Sequence, residues 1–269
     1  MGQRVFITGG ASGLGLALVK YYQQQGWQVA IGDLQTEVGE QVAAELGSGV
    51  RFLTCDVTRL TDLQHVAREL QESWGGVDLV INNAGVAQVG AIDDVKLSDW
   101  EWIININLLG VVRGCQVFTP LFKQQGHGHF VNISSMAGLL DLPNMGSYNA
   151  TKAAVVSLSE TLQNELAPHN IDVTLVCPSF FRTNLGESMR STVPGMDQTL
   201  DRLMAKSELS ADDIARQIAQ AVANRQFYLL PHKKALRSWR LKRWLPRRWY
   251  TRMLQKSLAG HKQKRSKKP

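Results

Sequence analysis

Apolar and polar positions follow two rhythms that trade places along the chain. Runs of five or six residues, rich in Val, Ile and Phe, end in turn residues and give way to longer stretches with apolar residues three and four apart. The short runs fall at residues 4–8, 28–32, 51–55, 78–82, 129–134, 172–177 and 226–230. Helical spacing occupies 14–25, 37–46, 60–73, 99–125, 147–167 and 210–224, the last opening with a capping-box-like Ser210 and Asp213. This alternation predicts an α/β fold: a doubly wound, mainly parallel seven-stranded sheet with helices on both faces. Residues 186–208 break the rhythm and carry Gly186, Pro194 and Gly195. They read as a loose insert, placed where a segment leaving a strand covers a ligand.

The remaining bulk features narrow this picture. With 269 residues the chain can form one large domain with a sizeable core. It holds no run of 18 apolar residues, so a spanning helix is not expected. "MGQRVFITGG" enters a strand at once, leaving no room for a signal peptide. Cys55, Cys115 and Cys177 are odd in number and widely spaced, which fits reduced thiols in a cytoplasm. Without a secretory signal, Asn132 and Asn149 are chance matches to the glycosylation pattern. His127 and His129 lack a third ligand and read as a polar turn before a strand; no metal is expected.

Net charge changes the picture most, because +7 averages two unlike regions. From Lys233 onward there are fifteen Lys and Arg and no acidic residue, so residues 1–232 hold fifteen basic against twenty-three acidic residues, a net of −8. The expected organisation is a single domain over 1–232 and a basic, Trp-containing helical extension over 233–269. Trp239, Trp244 and Trp249 recur every five residues in it. A helix from Pro246 would put Trp249, Tyr250, Met253 and Leu254 on one side, with Arg248, Arg252 and Lys256 opposite. Such a segment suits an anionic membrane surface, making the protein cytoplasmic and peripheral at the membrane's inner face. Packing on the acidic body is the second reading of the tail. Nucleic-acid binding through its aromatics is the weakest.

Chemistry concentrates at two places. The first strand runs into "TGGASGLG", where Gly9, Gly13 and Gly15 lie between a strand and a helix. Glycines there permit a sharp turn and let backbone amides approach a pyrophosphate at the helix N-terminus. Asp33 follows the second strand, eighteen residues past Gly15, where a carboxylate can accept the adenosine ribose hydroxyls and repel a 2′-phosphate. Neither Ser12 nor Leu34 supplies the basic partner a 2′-phosphate needs, which favours NAD while leaving NADP open. The second place is "SYNATKAAVV", where Tyr148 and Lys152 stand at i and i+4 on one helix face. A Lys so close would favour the phenolate and lower the phenol's pKa.

Taken together, these residues resemble the short-chain dehydrogenase/reductase family over roughly residues 4–232. The loop reads T-G-x-x-x-G-x-G, "CDVT" holds Asp56, "NNAG" covers residues 82–85, "INLLG" holds Asn107, and "ISS" places Ser135 thirteen residues before Tyr148. The resemblance implies a Rossmann-type fold that binds NAD(P) and a catalytic set of Asn107, Ser135, Tyr148 and Lys152. It places the cofactor against Thr8, Gly9, Ser12, Gly13, Leu14, Gly15, Asp33, Asp56, Val57, Asn83, Ala84, Gly85, Tyr148, Lys152, Pro178 and Thr183. One departure stands out: "PSFFRT" has Ser179 where the family keeps a glycine, which should restrict the backbone near the nicotinamide.

The expected reaction is hydride transfer between a secondary alcohol and a ketone, Tyr148 exchanging the proton. By the resemblance, Ser135 holds the substrate oxygen, Lys152 the nicotinamide ribose, and Asn107 a relay water. Met136, Leu139, Leu140, Leu142, Met145, Phe180, Phe181, Leu185 and Met189 are candidate lining residues, and their character points to a lipophilic alcohol or ketone. The family pattern implies a homodimer or homotetramer. The alternative function is a non-catalytic dinucleotide sensor or scaffold acting through the basic tail.

Overall fold

The computed structural model describes residues 3–183, 186–253 and 255, and the chain divides into two compact units, residues 1–231 and 232–269. In the first unit β1 (Arg4–Thr8), α1 (Gly13–Gln24), β2 (Gln28–Asp33), α2 (Thr36–Leu46), β3 (Val50–Thr54), α3 (Leu60–Trp74) and β4 (Leu79–Asn82) follow in strict alternation. A two-residue β5 (Gln88–Val89) precedes α4 (Leu97–Asn107), α5 (Leu109–Gln125), β6 (Gly128–Ile133), α6 (Ala137–Leu140), α7 (Gly146–Leu166) and β7 (Ile171–Val176). Then come β8 (Arg190–Ser191), α8 (Met196–Ala205), α9 (Ala211–Ala223) and β9 (Tyr228–Leu229).

Seven strands form one sheet in the order β3–β2–β1–β4–β6–β7–β9, each pair parallel. Strands buried on both faces have no polar side to show. That is why β1, β4 and β6 carry apolar residues on both faces, at 5–7, 79–81 and 130–131, and are buried at every position. On one face Leu18 and Tyr22 of α1 and Ile214 and Ile218 of α9 pack over Val5, Ile31 and Val131. Phe118 of α5 meets Phe6 of β1 at 5.4 Å between ring centroids, and Phe122 meets Phe130 of β6 at 4.8 Å. The chain order reverses between β1 and β4, so their carboxyl ends open a crevice at the switch point of the sheet. The start of α9 is a true capping box: Asp213 N donates to Ser210 Oγ at 3.1 Å, and Ser210 N donates to Asp213 Oδ2 at 2.9 Å.

Two details differ from the sequence reading, and others sharpen it. The stretch 99–125 is two helices, parted at Leu108, because the Asn107 side chain is drawn into hydrogen bonds outside its own helix. By length and composition the run Leu97–Gln125 could cross a membrane. In the fold Ile103, Val111, Phe118 and Phe122 are fully or nearly fully buried. The insert is not loose: β8 pairs in parallel with β5, and α8 buries Leu200 and Met204. His129 lies inside β6, within the strand expected over 129–134. It is hydrogen-bonded to Thr174 Oγ1 at 2.8 Å, and burial lowers its pKa to about 4. In the second unit α10 (Lys233–Trp244) covers the stretch whose sequence sorts least cleanly, and helical backbone resumes at Arg247 beyond Pro246. Leu254 and Lys256 of the expected amphipathic pattern lie outside the described residues.

Candidate active site

The crevice is built by stitching the end of β4 to the end of β1. Thr8 Oγ1 accepts from Asn83 N at 3.0 Å and Ala84 N at 3.1 Å, while Asn83 Nδ2 donates to Thr8 O at 2.9 Å and Gly9 O at 3.0 Å. Beneath them Asn82 Nδ2 donates to Asn132 Oδ1 at 2.9 Å, tying β4 to β6. Gly9 turns at φ +65°, and a β-carbon on Gly15 would lie 1.9 Å from Gly9 O. The loop is thus a cradle that side chains would fill, which fits a pyrophosphate approached by bare backbone.

Asp33 ends β2 at 8% exposure and accepts Ala11 N at 3.0 Å and Gln35 N at 3.1 Å. Its carboxylate is therefore fixed in place at the rim of the glycine loop. Asp56 accepts Thr58 N at 2.8 Å and Thr58 Oγ1 at 2.7 Å, so one of its oxygens is already engaged in a local turn beside Val57. Pro178 follows β7 and its carbonyl accepts Met136 N at 2.9 Å. Ser179, standing where a glycine was expected, keeps a negative φ, so the feared backbone restriction does not arise. Gly13, Arg182, Thr183, Glu187, Met204 and Ala211 line a cavity of about 610 Å³ between the glycine loop and the insert.

On the other side of the crevice the four expected polar residues converge. Asn107 is wholly buried, its Nδ2 donating to Val86 O and its Oδ1 accepting Val86 N, both at 2.8 Å. A β-carbon at Gly85 would lie 3.2 Å from Asn107 Oδ1 and 3.5 Å from Lys152 Nζ, so the glycine leaves space where the two meet. Ser135 follows β6, its Oγ accepting Ala137 N at 3.1 Å and donating to Pro178 O at 3.4 Å, and it stands near enough to the Tyr148 phenol to lower its pKa. Lys152 Nζ lies 5.8 Å from the Tyr148 ring centroid and donates to Ile133 O at 3.0 Å. Lys152 is only 4% exposed, yet Ile133 is the one acceptor found for its three donors among the described residues. A buried ammonium with donors to spare fits the hydroxyls of a nicotinamide ribose.

Here the structure corrects the expected electrostatics. Burial holds the Tyr148 phenol above its ordinary pKa, with the nearby Ser135 hydroxyl working in the opposite direction. Lys152 is itself lowered to about 8 by burial. The i, i+4 spacing does bring the Lys beside the ring, but burial, which sequence spacing cannot show, sets the direction of the shift.

Around the phenol lies an apolar patch of Ala87, Ile103 and Ala137, with Trp102, Met145 and Met189 packed against it. Met145 and Met189 were expected there. Phe181 instead joins the main core, and Leu185 lies outside the described residues. Trp102 and Gln88 were missed by the sequence reading. Arg190 of the insert stacks on Trp102, 4.0 Å from its ring centroid, and pairs with Asp99 at 2.8 Å. Ser147, next to Tyr148, donates to the buried Gln88. The signal available for both was position alone: each lies within the segment between "NNAG" and Asn107.

A family model described as short chain dehydrogenase matches residues 3–194, and the chain belongs to that family of oxidoreductases. A CLA biosynthesis dehydrogenase/reductase from Lactiplantibacillus plantarum is 30% identical over 249 residues, covering 85% of this chain and 87% of its own. A 3-alpha-(or 20-beta)-hydroxysteroid dehydrogenase from Mycobacterium bovis is 34% identical over 183 residues, covering 68% and 70%. The solved short chain dehydrogenase/reductase from Burkholderia phymatum in complex with NAD superposes with a TM-score of 0.85 at 32% identity, covering 90% of this chain and 93% of its own.

Proposed function

We propose that this protein interconverts a lipophilic secondary alcohol and its ketone with NAD as the hydride partner. The observation that carries the reading is the meeting of Ser135, Tyr148, Lys152 and Asn107 at an apolar patch beside the glycine cradle. A bound NAD, held by the glycine loop, Asp33 and Lys152, would supply the hydride chemistry between alcohol and ketone. Everything else falls to the chain. Ser135 hydrogen-bonds the substrate oxygen and fixes it against the phenol. Tyr148 takes the hydroxyl proton in oxidation and gives it back in reduction. Lys152 would hold the ribose hydroxyls with its unspent donors and favours the phenolate as it forms. Asn107, locked on the Val86 backbone, positions a water that links Lys152 to solvent. Trp102, Met145 and Met189 exclude water from the reacting carbon, which suits a hydrocarbon-rich substrate.

The test is a panel of hydrophobic secondary alcohols and ketones followed by NADH absorbance with both cofactors. Turnover of hydrophobic members supports the reading; exclusive turnover of sugars, or none at all, overturns it.

Cofactor choice follows from Asp33. A carboxylate fixed by two backbone donors can take ribose hydroxyls, whereas a 2′-phosphate would confront like charge. Asp33→Ser is expected to raise the Kd for NADH and lower the NADPH-to-NADH Kd ratio by roughly tenfold or more, equivalent to about 1.4 kcal/mol. Fluorescence titration of both reduced cofactors reads this directly, and an unchanged ratio would remove Asp33 from the assignment. The protein is expected to assemble as a homodimer or homotetramer through α4, α5 and α7, a mass that analytical ultracentrifugation measures.

A further inference from the structure

The second unit carries a surface that the dehydrogenase chemistry does not use. On α10, Lys233, Arg237, Arg240, Leu241 and Trp244 follow at three- and four-residue steps, so they share one helix face, and all five are exposed. Trp244 is 84% exposed and Leu241 sits three residues before it. Past Pro246 the pattern repeats: Trp249, 67% exposed, is followed by Arg252 and by the exposed Met253 one turn on. Two apolar pairs, Leu241 with Trp244 and Trp249 with Met253, therefore stand in water with guanidinium groups beside them. Isolated exposed apolar residues are common on protein surfaces. Two exposed Trp, each with an aliphatic neighbour within one turn, on a segment without one carboxylate are not.

We propose that residues 233–255 dock on the surface of an anionic phospholipid bilayer. The indole rings and their Leu and Met neighbours enter the boundary of headgroup and acyl chain, and the Arg and Lys groups pair with lipid phosphates. Charge complementarity selects this occupant. The nine Lys and Arg of residues 233–255 match a negative surface, while residues 1–232, at a net of −8, are repelled by the same surface. Attachment is thus confined to the tail. Single-stranded nucleic acid offers the same phosphates and stacks on indoles, but the exposed Leu241 and Met253 beside them have no part in base stacking and suit an acyl-chain boundary.

The experiment uses the full chain with vesicles of phosphatidylcholine alone or mixed with phosphatidylglycerol. Co-sedimentation on the mixed vesicles is expected to exceed that on the neutral ones by roughly tenfold or more and to fall as salt rises. Brominated acyl chains should quench tail tryptophan fluorescence. Trp244→Ser/Trp249→Ser keeps every charge and is expected to lose most of the binding and the quenching, with NADH binding unchanged. Equal partition onto both vesicle types overturns the proposal. So does full binding by the double variant, or tighter binding to single-stranded RNA than to anionic vesicles at the same salt.

Discussion

Tyr148→Phe is expected to lower kcat by roughly a hundredfold or more, the range for loss of a positioned general acid–base. The substitution removes one hydroxyl from a ring already held by Ala87, Ile103 and Ala137, so the fold has little reason to change. Cofactor binding should also survive, since the glycine loop, Asp33 and Lys152 are untouched. Steady-state rates with the best substrate, set beside an NADH titration and a melting curve, separate chemistry from structure. Near-normal turnover would refute the assignment of the phenol.

The pH dependence follows from the same environment, and its sign differs with direction. Ketone reduction needs the protonated phenol, which burial favours, so its rate should be flat at low pH and fall as the phenol ionises. Alcohol oxidation needs the phenolate and should rise with pH. Lys152, lowered to about 8 by burial, loses its charge above that point and with it part of its support for the phenolate. Lys152→Met should therefore displace the oxidation profile to higher pH, while a rate independent of pH in both directions would contradict proton exchange at Tyr148.

Much of this architecture was legible in the sequence because its signals are long or exacting. Val5, Ile7, Leu79, Ile81 and Val131 lie in strands covered on both sides, and a doubly covered strand shows itself as an apolar run. Convergence of Asn107, Ser135, Tyr148 and Lys152 could be anticipated only because their spacings agree jointly with one family's pattern. What stayed hidden depends on short or non-local contacts. β5 and β8 are two residues each, too short for any period, and their pairing joins positions about a hundred residues apart. The break at Leu108 leaves the helical pattern undisturbed, since its cause is a bond from Asn107 to Val86. The raised Tyr148 pKa reflects burial, while the sequence displays only the neighbouring charge.

Gly15→Ala should be the most damaging single-methyl change in the first unit. Its β-carbon would sit 1.9 Å from Gly9 O and 2.8 Å from Asn83 Nδ2, well inside van der Waals contact. Relief by moving Gly9 is blocked, because Gly9 N donates to Gly32 O at 2.7 Å and Gly9 O accepts Asn83 Nδ2 at 3.0 Å. Either α1 shifts away from the strand end or the stitch between β1 and β4 opens. Overpacking of this sort costs about 1–3 kcal/mol, a fall in Tm of roughly 2–12 °C for a domain of this size. The cradle for the pyrophosphate deforms in the same movement, so the Kd for NADH should rise by roughly tenfold or more even where the protein still folds. Gly49→Ala supplies the contrast: its nearest neighbour would be Trp27 O at 3.8 Å, and stability should stay within about 0.5 kcal/mol. Equal melting temperatures and equal NADH affinities for the two variants would mean that the loop does not form as described, and the proposed cofactor site would go with it.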